Sequence, residues 1–259
     1  MATYSESALL PEGLHDDLPQ EAESESCVVQ ALLTNFASYG YERVSPPLIE
    51  FEDSLLAGPG ATQARQMFRL MDPLSQRMMG VRTDITFQVA RIATTRLASV
   101  ERPLRLCYAG DVLRVKGGQI RTERQFGQAG VEIIGSSSIE ADVEVLLLAS
   151  DALGALGVRN LSIDLTLPNL VPAICRGLGL DREAATVARD ALNNKDIGEL
   201  KAIEGATGQL LRGLLAAAGP ANEALQDLDR LELPAEARTL CDELSVLVNR
   251  VQQMAPDLT

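Results

Sequence analysis

Basic residues are in short supply: 23 Lys and Arg stand against 36 Asp and Glu in 259 residues, a formal charge of -13 and a pI near 4.6. Proteins that coat nucleic acid or lie on anionic membranes need a basic face, so this balance argues against both classes. Histidine is scarcer still. His15 is the only one, and it lies in the polar turn Gly13-Leu14-His15-Asp16-Asp17, where a surface position is expected. The four cysteines, Cys27, Cys107, Cys175 and Cys241, form no C-x-x-C pair. A zinc site and a Ser-His or Cys-His nucleophile are therefore not expected, and the thiols read as reduced ones in a cytoplasmic protein. Met1 to Glu12 has no charged region ahead of an apolar stretch, and no apolar run of about 18 residues occurs anywhere, which argues against secretion and membrane spanning. The sequence has no evident internal repeat or low-complexity segment.

What is present describes an ordinary folded chain: 46% hydrophobic and 23% charged residues, with a mean hydropathy of +0.04. Such a chain has enough apolar material for one large core or two smaller ones. The charge is divided unevenly. Between Gly60 and Gly135 there are 12 basic and 6 acidic residues, a net +6, which leaves 11 basic and 30 acidic residues elsewhere, a net -19. This asymmetry has two readings: a middle segment that handles an anionic group, or arginines that merely dress helix and strand edges.

Met1 to Glu25, acidic and marked by Pro11, Gly13 and Pro19, reads as an arm. Ser24 or Ser26 is expected to cap a first helix with a stripe of Val28, Val29, Leu32, Leu33 and Phe36, stopped by Gly40. Tyr41 to Phe51 contains Pro46 and Pro47, which force extension and remove two ladder donors, so it belongs at a sheet edge or an interface. Strands are expected at Met67–Met71, Met78–Asp84, Leu104–Val115, Glu123–Gly135 and Leu161–Leu165, with a hairpin loop at Lys116–Thr122. Thr83 or Asp84 should cap a helix running to about Ala98, and Ser137 with Glu140 a helix over Ile139–Leu156. From Ile174 to Met254 the periodicity is helical, broken at Gly177, Gly179, Gly205, Gly219-Pro220 and Pro234. Residues 1–172 are expected to form one α+β domain and 173–259 a helical segment. The ending, Asp257-Leu258-Thr259, resembles the start of a strand and reads as a chain that stops early or a piece of a longer one.

Chemistry concentrates in the two long strands. Alternation puts Phe126, Gln128, Gly130, Glu132 and Ile134 on one face of the second, with Gln128 and Glu132 about 13 Å apart at a rise of ~3.3 Å per residue. Tyr108, Gly110, Val112 and Arg114 share a face of the first. If these faces adjoin, Arg114, Gln128, Glu132 and Tyr108 surround an open, glycine-floored notch, with Asp84 as a second acid. A guanidinium grips a carboxylate, while acids and an amide oxygen accept from an ammonium or an imidazole N–H, so the set suits a small zwitterion. The competing reading is an ordinary cross-strand ion pair between Glu132 and Arg114.

Gly40-Tyr41 through Pro46-Pro47-Leu48-Ile49 resembles the first signature motif of class II aminoacyl-tRNA synthetases, whose proline lies at the dimer interface. Arg105 to Arg114, followed by Arg124-Gln125-Phe126-Gly127-Gln128-Ala129-Gly130-Val131-Glu132, is similar to the second motif as histidyl-tRNA synthetases write it, and Arg82-Thr83-Asp84-Ile85-Thr86 resembles their Arg-Pro-Glu-Gly-Thr element. The resemblance implies a mainly antiparallel sheet flanked by helices. It also implies that Asp84 and Gln128 lie near the amino group of a bound histidine, Glu132 near its imidazole, and Arg114 near its carboxylate. Thr86, Tyr108, Gly130 and Arg124 become possible neighbours of that pocket, and Pro46 and Pro47 candidates for a homodimer interface.

The departures matter equally. The family's Arg-x-Glu is here Arg114-Val115-Lys116, and neither a third motif, nor an Arg-Gly-x-x-Tyr-Tyr element, nor an anticodon-binding domain is found in the sequence. These losses, with Leu10-Pro11-Glu12-Gly13-Leu14-His15-Asp16-Asp17-Leu18-Pro19 and the Leu/Ala-rich stretch before Pro220, resemble the regulatory subunits of ATP phosphoribosyltransferase. That family implies a non-catalytic partner of the catalytic subunit in the first step of histidine biosynthesis, involved in histidine feedback, with no tRNA and no cofactor or metal. The alternatives are a histidyl-tRNA synthetase, or a truncated relative that forms histidyl-adenylate, and a histidine-binding module with no transferase partner.

Overall fold

The computed structural model describes residues 10–118, 122–195, 197–203 and 205–258. Two compact units emerge. One holds the chain to Ser137 together with Leu148–Arg159, and the other holds Ser138–Leu147 with the chain from Asn160 onward.

In the first unit α1 (Pro19–Ser38) leads into β1 (Glu42–Arg43), β2 (Ile49–Phe51), the short α2 (Glu52–Leu55), a 3-10 turn over Gly58–Gln63, β3 (Arg69–Met71), β4 (Met78–Val81), α3 (Thr86–Thr95), β5 (Leu104–Leu113) and β6 (Gln125–Ile134); of the next helix, α4 (Ile139–Ala155), the part from Leu148 onward belongs to this unit. The strands make two three-stranded sheets, ordered β1-β5-β6 and β2-β4-β3, in which only the β1–β5 pairing is parallel. The α+β, mainly antiparallel class is thus as expected, although the strands divide between two sheets.

β5 and β6 pair over ten residues, from Leu104 opposite Ile134 to Leu113 opposite Gln125. One face of this ribbon packs Leu104, Leu106, Tyr108 and Val112 against Ile85, Val89 and Ala93 at and along α3. The other face packs Cys107, Ala109, Ala129 and Val131 against Leu33 and Phe36 of α1 and Leu148 and Ala152 of α4. Strict alternation places helices on both faces.

Several expectations give way. The first helix begins at Pro19, inside the predicted arm, because Pro19 is pre-set for the first helical turn and the Glu21 carboxylate accepts from the Leu18 N–H at 3.0 Å. Ser24 and Ser26 are therefore interior, not caps. At α4 it is Ser138, not Ser137, whose Oγ accepts from the Ala141 N–H, at 3.4 Å. Leu161–Leu165 alternates in sequence but forms no strand. The tip of the predicted hairpin loop, residues 119–121 with Arg121, and the first nine residues of the predicted arm lie outside the described residues.

The second unit continues with α5 (Leu170–Gly177), α6 (Arg182–Asn193), α7 (Ile197–Ala202), α8 (Gly205–Ala216), α9 (Ala221–Asp229) and α10 (Ala235–Met254). The glycine and proline breaks fall where expected, with one more near Lys195, which takes a positive φ of 54°. The expected boundary at 172 falls inside α5. Among the described residues no helix is long and apolar enough to cross a membrane.

Leu106, 1% exposed at the centre of the α3-facing core, offers a direct test. Leu106→Ala is expected to cost about 2–5 kcal/mol from lost transfer energy and the cavity left behind. Because the chain has no tryptophan, the measurement is urea unfolding followed by circular dichroism.

Candidate functional site

The α3-facing side of the β5–β6 ribbon carries the polar residues singled out from the sequence. Register places Tyr108 opposite Gly130, Gly110 opposite Gln128, and Leu106 opposite Glu132, so the two polar faces adjoin. The chain entering α3 completes the cluster. The Asp84 Oδ1 accepts from the Thr86 N–H at 2.8 Å and from Gln128 Nε2 at 3.3 Å. Gln128 Oε1 accepts from the Ile85 N–H at 2.9 Å, so the amide is held by both ends with its carbonyl aimed at the helix start.

Beyond Asp84, the hydroxyls of Thr86 and Tyr108 lie 3.0 Å apart and both hydrogen-bond the Glu132 carboxyl group. Burial is the main reason the Glu132 carboxyl is pushed above the usual glutamate range, with the charge of Asp84 adding to it and the two hydroxyls opposing it. The buried Tyr108 phenol is raised as well, first by burial and then by the charges of Glu132 and Asp84. Proton counting explains the frustration. Thr86, Tyr108 and Glu132 make three mutual contacts, but two hydroxyls supply only two protons when Glu132 is ionised. A proton on Glu132 fills the third.

The notch is not open at its glycine floors. A Cβ on Gly130 would stand 2.6 Å from the Tyr108 hydroxyl, and one on Gly110 would overlap the Arg82 guanidinium. These glycines make room for a phenol and a guanidinium of the protein itself. Arg82 is only 7% exposed, and in the sequence it figures only as the first residue of the Arg82–Thr86 element, with no role of its own. The one available signal was Gly110 itself, a missing side chain in the middle of an otherwise bulky strand face.

Arg114 is half-buried at the end of the ribbon, with Nε 3.5 Å from the Thr83 carbonyl and its guanidinium 5.1 Å from the Phe126 ring centre. The competing reading, a Glu132–Arg114 ion pair, is not among these contacts. Arg124 does not contribute to the cluster either. Its Nη1 donates to the Glu12 carbonyl at 3.0 Å, its Nε to the Arg114 carbonyl at 3.4 Å, and its guanidinium covers the Phe68 ring at 4.8 Å. Arg124 therefore fastens the N-terminal segment to the hairpin. Lys116 is exposed. Pro46 is buried and Pro47 exposed, and their carbonyls accept from Arg82 Nη1 at 3.0 Å and Gln88 Nε2 at 2.8 Å.

On the other side of the ribbon, against α1, a cleft of about 770 Å³ is lined by Glu25, Val29, Asp111 and Ala129 among others. It reaches Gln128 and Phe126 but not Asp84, Thr86, Tyr108, Glu132 or Arg114, so size and chemistry point to opposite faces. The polar cluster is the stronger candidate, because it brings two carboxyl groups, an amide and two hydroxyls together beside a helix start. Among the described residues no group of three His, Cys, Asp or Glu is placed to hold a metal.

Together, the ribbon and its cluster define a domain of the class II, histidyl-tRNA synthetase type. The family model for histidyl-tRNA synthetase matches residues 13–259. Among solved structures, an ATP phosphoribosyltransferase regulatory subunit/histidyl-tRNA synthetase from Bacillus halodurans superposes with a TM-score of 0.82 at 24% identity, covering 95% of this chain and 65% of that one. A histidine–tRNA ligase subunit from Alicyclobacillus acidocaldarius gives a TM-score of 0.68 at 27% identity, over 97% and 79%. Two curated relatives are both named ATP phosphoribosyltransferase regulatory subunit. The one from Rhodospirillum centenum is 54% identical over 97% of this chain and 65% of its own length. The one from Paramagnetospirillum magneticum is 53% identical over 100% and 68%. The chain belongs to this histidyl-tRNA synthetase-like family of ATP phosphoribosyltransferase regulatory subunits, and spans about two thirds of the length of those relatives.

Glu132 predicts a trade of stability for chemistry. Its folded-state pKa is raised, so the native chain holds this proton more tightly than the unfolded one. The resulting contribution to stability therefore declines as pH rises from the ordinary glutamate range through the raised value. Glu132→Gln is expected to melt at or above the wild-type temperature at neutral pH, with the difference shrinking in acid, as thermal unfolding across pH will show. Gly130→Ala should lower the melting temperature at every pH, because its methyl group displaces the Tyr108 ring.

Proposed function

We propose that this chain is the histidine-sensing part of a regulatory subunit that performs no chemistry itself and assembles with the catalytic subunit of ATP phosphoribosyltransferase in the cytoplasm. The observation that carries this reading is the cluster of Asp84, Gln128, Thr86, Tyr108 and Glu132. It offers acceptors to an ammonium group at Asp84 and an acceptor to an imidazole N–H at Glu132. That N–H donates directly to the Glu132 carboxyl group and offsets the cost of burying it in its charged form. Arg114, whose long side chain can swing from the Thr83 carbonyl, supplies the cation for the carboxylate. The relatives' names support the assignment to the transferase complex.

Beside that arginine stands Lys116 where the synthetases carry a glutamate, so the acid that orients nucleotide and tRNA end is replaced by a cation. The net -13 charge is equally poor for gripping tRNA. Histidine regulates by linkage, since it inhibits only by binding one state of the assembly better than another. The extended segment around Pro46 and Pro47, with Leu48 and Ile49 exposed beside it, is the proposed homodimer contact.

Calorimetry is expected to show histidine binding by the wild type and a loss of about 10–100-fold for Glu132→Ala, the value of one hydrogen bond to a charged group. Histidine-dependent exchange between ATP and pyrophosphate should be absent. Transferase activity of the purified catalytic subunit should rise on adding the regulatory protein. A catalytic subunit equally active alone, or robust exchange, would sink this reading in favour of a free-standing module or a synthetase.

A further inference from the structure

Pro46, Pro47 and Leu48 present three consecutive carbonyls, and two of the three residues have no amide hydrogen to donate. All three carbonyls are taken by one short stretch of chain. Arg82 Nη1 donates to Pro46 at 3.0 Å, Gln88 Nε2 to Pro47 at 2.8 Å, and the Arg82 N–H to Leu48 at 3.0 Å. The same stretch, Arg82 to Gln88, carries Asp84 and Thr86 of the polar cluster.

Arg82 also reaches across to β5. Its Nε donates to the Asp111 carbonyl at 2.6 Å, and its own carbonyl accepts from the Leu113 N–H at 3.0 Å. The guanidinium is buried and makes its hydrogen bonds to main-chain carbonyls, while the charges of Asp111 and Glu50 act on it at longer range. Gly110, directly opposite Gln128, leaves the space it occupies. Retaining a desolvated cation without a bonded carboxylate is costly. A planar guanidinium can bridge two carbonyls that point from different elements, a geometry that an ammonium at the end of a flexible stem does not reproduce.

We propose that Arg82 is a positioning residue that couples the Asp84–Glu132 cluster to the Pro46–Leu48 segment, so that occupation of the cluster tightens that segment. The inference rests on the reading of the cluster as a histidine site. Movement of Asp84 toward a ligand pulls on a stretch whose neighbouring residue holds two of the three carbonyls, and the strain passes to the extended segment without any contact between it and the ligand.

The test is hydrogen exchange of the Leu48–Phe51 amides, with and without saturating histidine, alongside calorimetry on the same samples. In the wild type, histidine is expected to slow this exchange by about fivefold or more, the lower end of ordinary coupling between sites. Arg82→Lys should still bind histidine within about tenfold of wild type while that slowing shrinks to less than about twofold. Gly110→Ala, which leaves Arg82 in the sequence but takes its space, should behave in the same way and decides the matter if Arg82→Lys does not fold. Persistence of the slowing in the variants, or its absence in a wild type that binds histidine, overturns the coupling alone. Loss of histidine affinity by much more than tenfold in well-folded variants makes Arg82 part of the ligand site and also overturns it. A wild type that gives no binding heat overturns the histidine reading and the coupling with it.

Discussion

The ten-residue ladder between β5 and β6 is the constraint on which the rest of the first unit depends. Strand parity decides what each helix meets. With the observed register, Ala109, Ala129 and Val131 face α1 and α4, while Gln128 and Glu132 stand beside the start of α3. A slip of one residue would exchange the sets, burying an amide and a carboxyl group under α1 and α4 and turning apolar side chains toward the polar approach to α3. Neither outcome offers the displaced polar groups their present partners, so packing and chemistry select the same register.

The second constraint is local and concerns acceptors. Two adjacent prolines leave a segment that can accept hydrogen bonds but scarcely donate them, and Arg82 and Gln88 answer with donors. Gln88 at the same time donates to Glu50, which Arg91 also grips. The entrance to α3 is thereby fixed from two sides, by the proline segment and by β6 through Gln128. Glu132, a carboxyl group whose charged form burial disfavours, survives in that frame because its neighbours cannot relax away from it.

Much of this was legible in the sequence because alternation in a strand is a property of the chain itself. The shared face of Gln128, Gly130 and Glu132 follows from counting, as does that of Tyr108, Gly110 and Arg114. What fills the glycine gaps does not follow from counting. The occupant of Gly110 is Arg82, which arrives from a different strand end, and only the folded structure brings the two together. Leu161–Leu165 shows the opposite error. Its alternation is as good as that of a strand, but a strand exists only where another backbone pairs with it. The start of α1 differs from expectation for a third reason: in sequence Pro19 punctuates an arm, but a proline is equally at home in the first turn of a helix.

The basic middle segment acquires a different meaning from its arginines' contacts. Arg69 pairs with Glu52 and Arg91 with Glu50, Arg77 lies over Phe51, Arg102 donates to the Ala93 carbonyl, and Arg82 and Arg124 are held by carbonyls. Most of the local surplus is therefore committed to fastening elements together, which favours the plainer of the two readings of the charge pattern. A site with two acidic groups set among these cations cannot rely on the field of its own segment to draw in an ammonium group. Beyond a screening length of about 8 Å the surrounding charge counts for little in any case. On the proposed reading of the cluster, recognition resides in contact geometry: Gln128 held at both ends, Asp84 fixed by the first amide of α3, and a buried Glu132 carboxyl group held by the hydroxyls of Thr86 and Tyr108. Such a site discriminates by leaving a wrong ligand's neighbours unsatisfied, and steering contributes little to that choice.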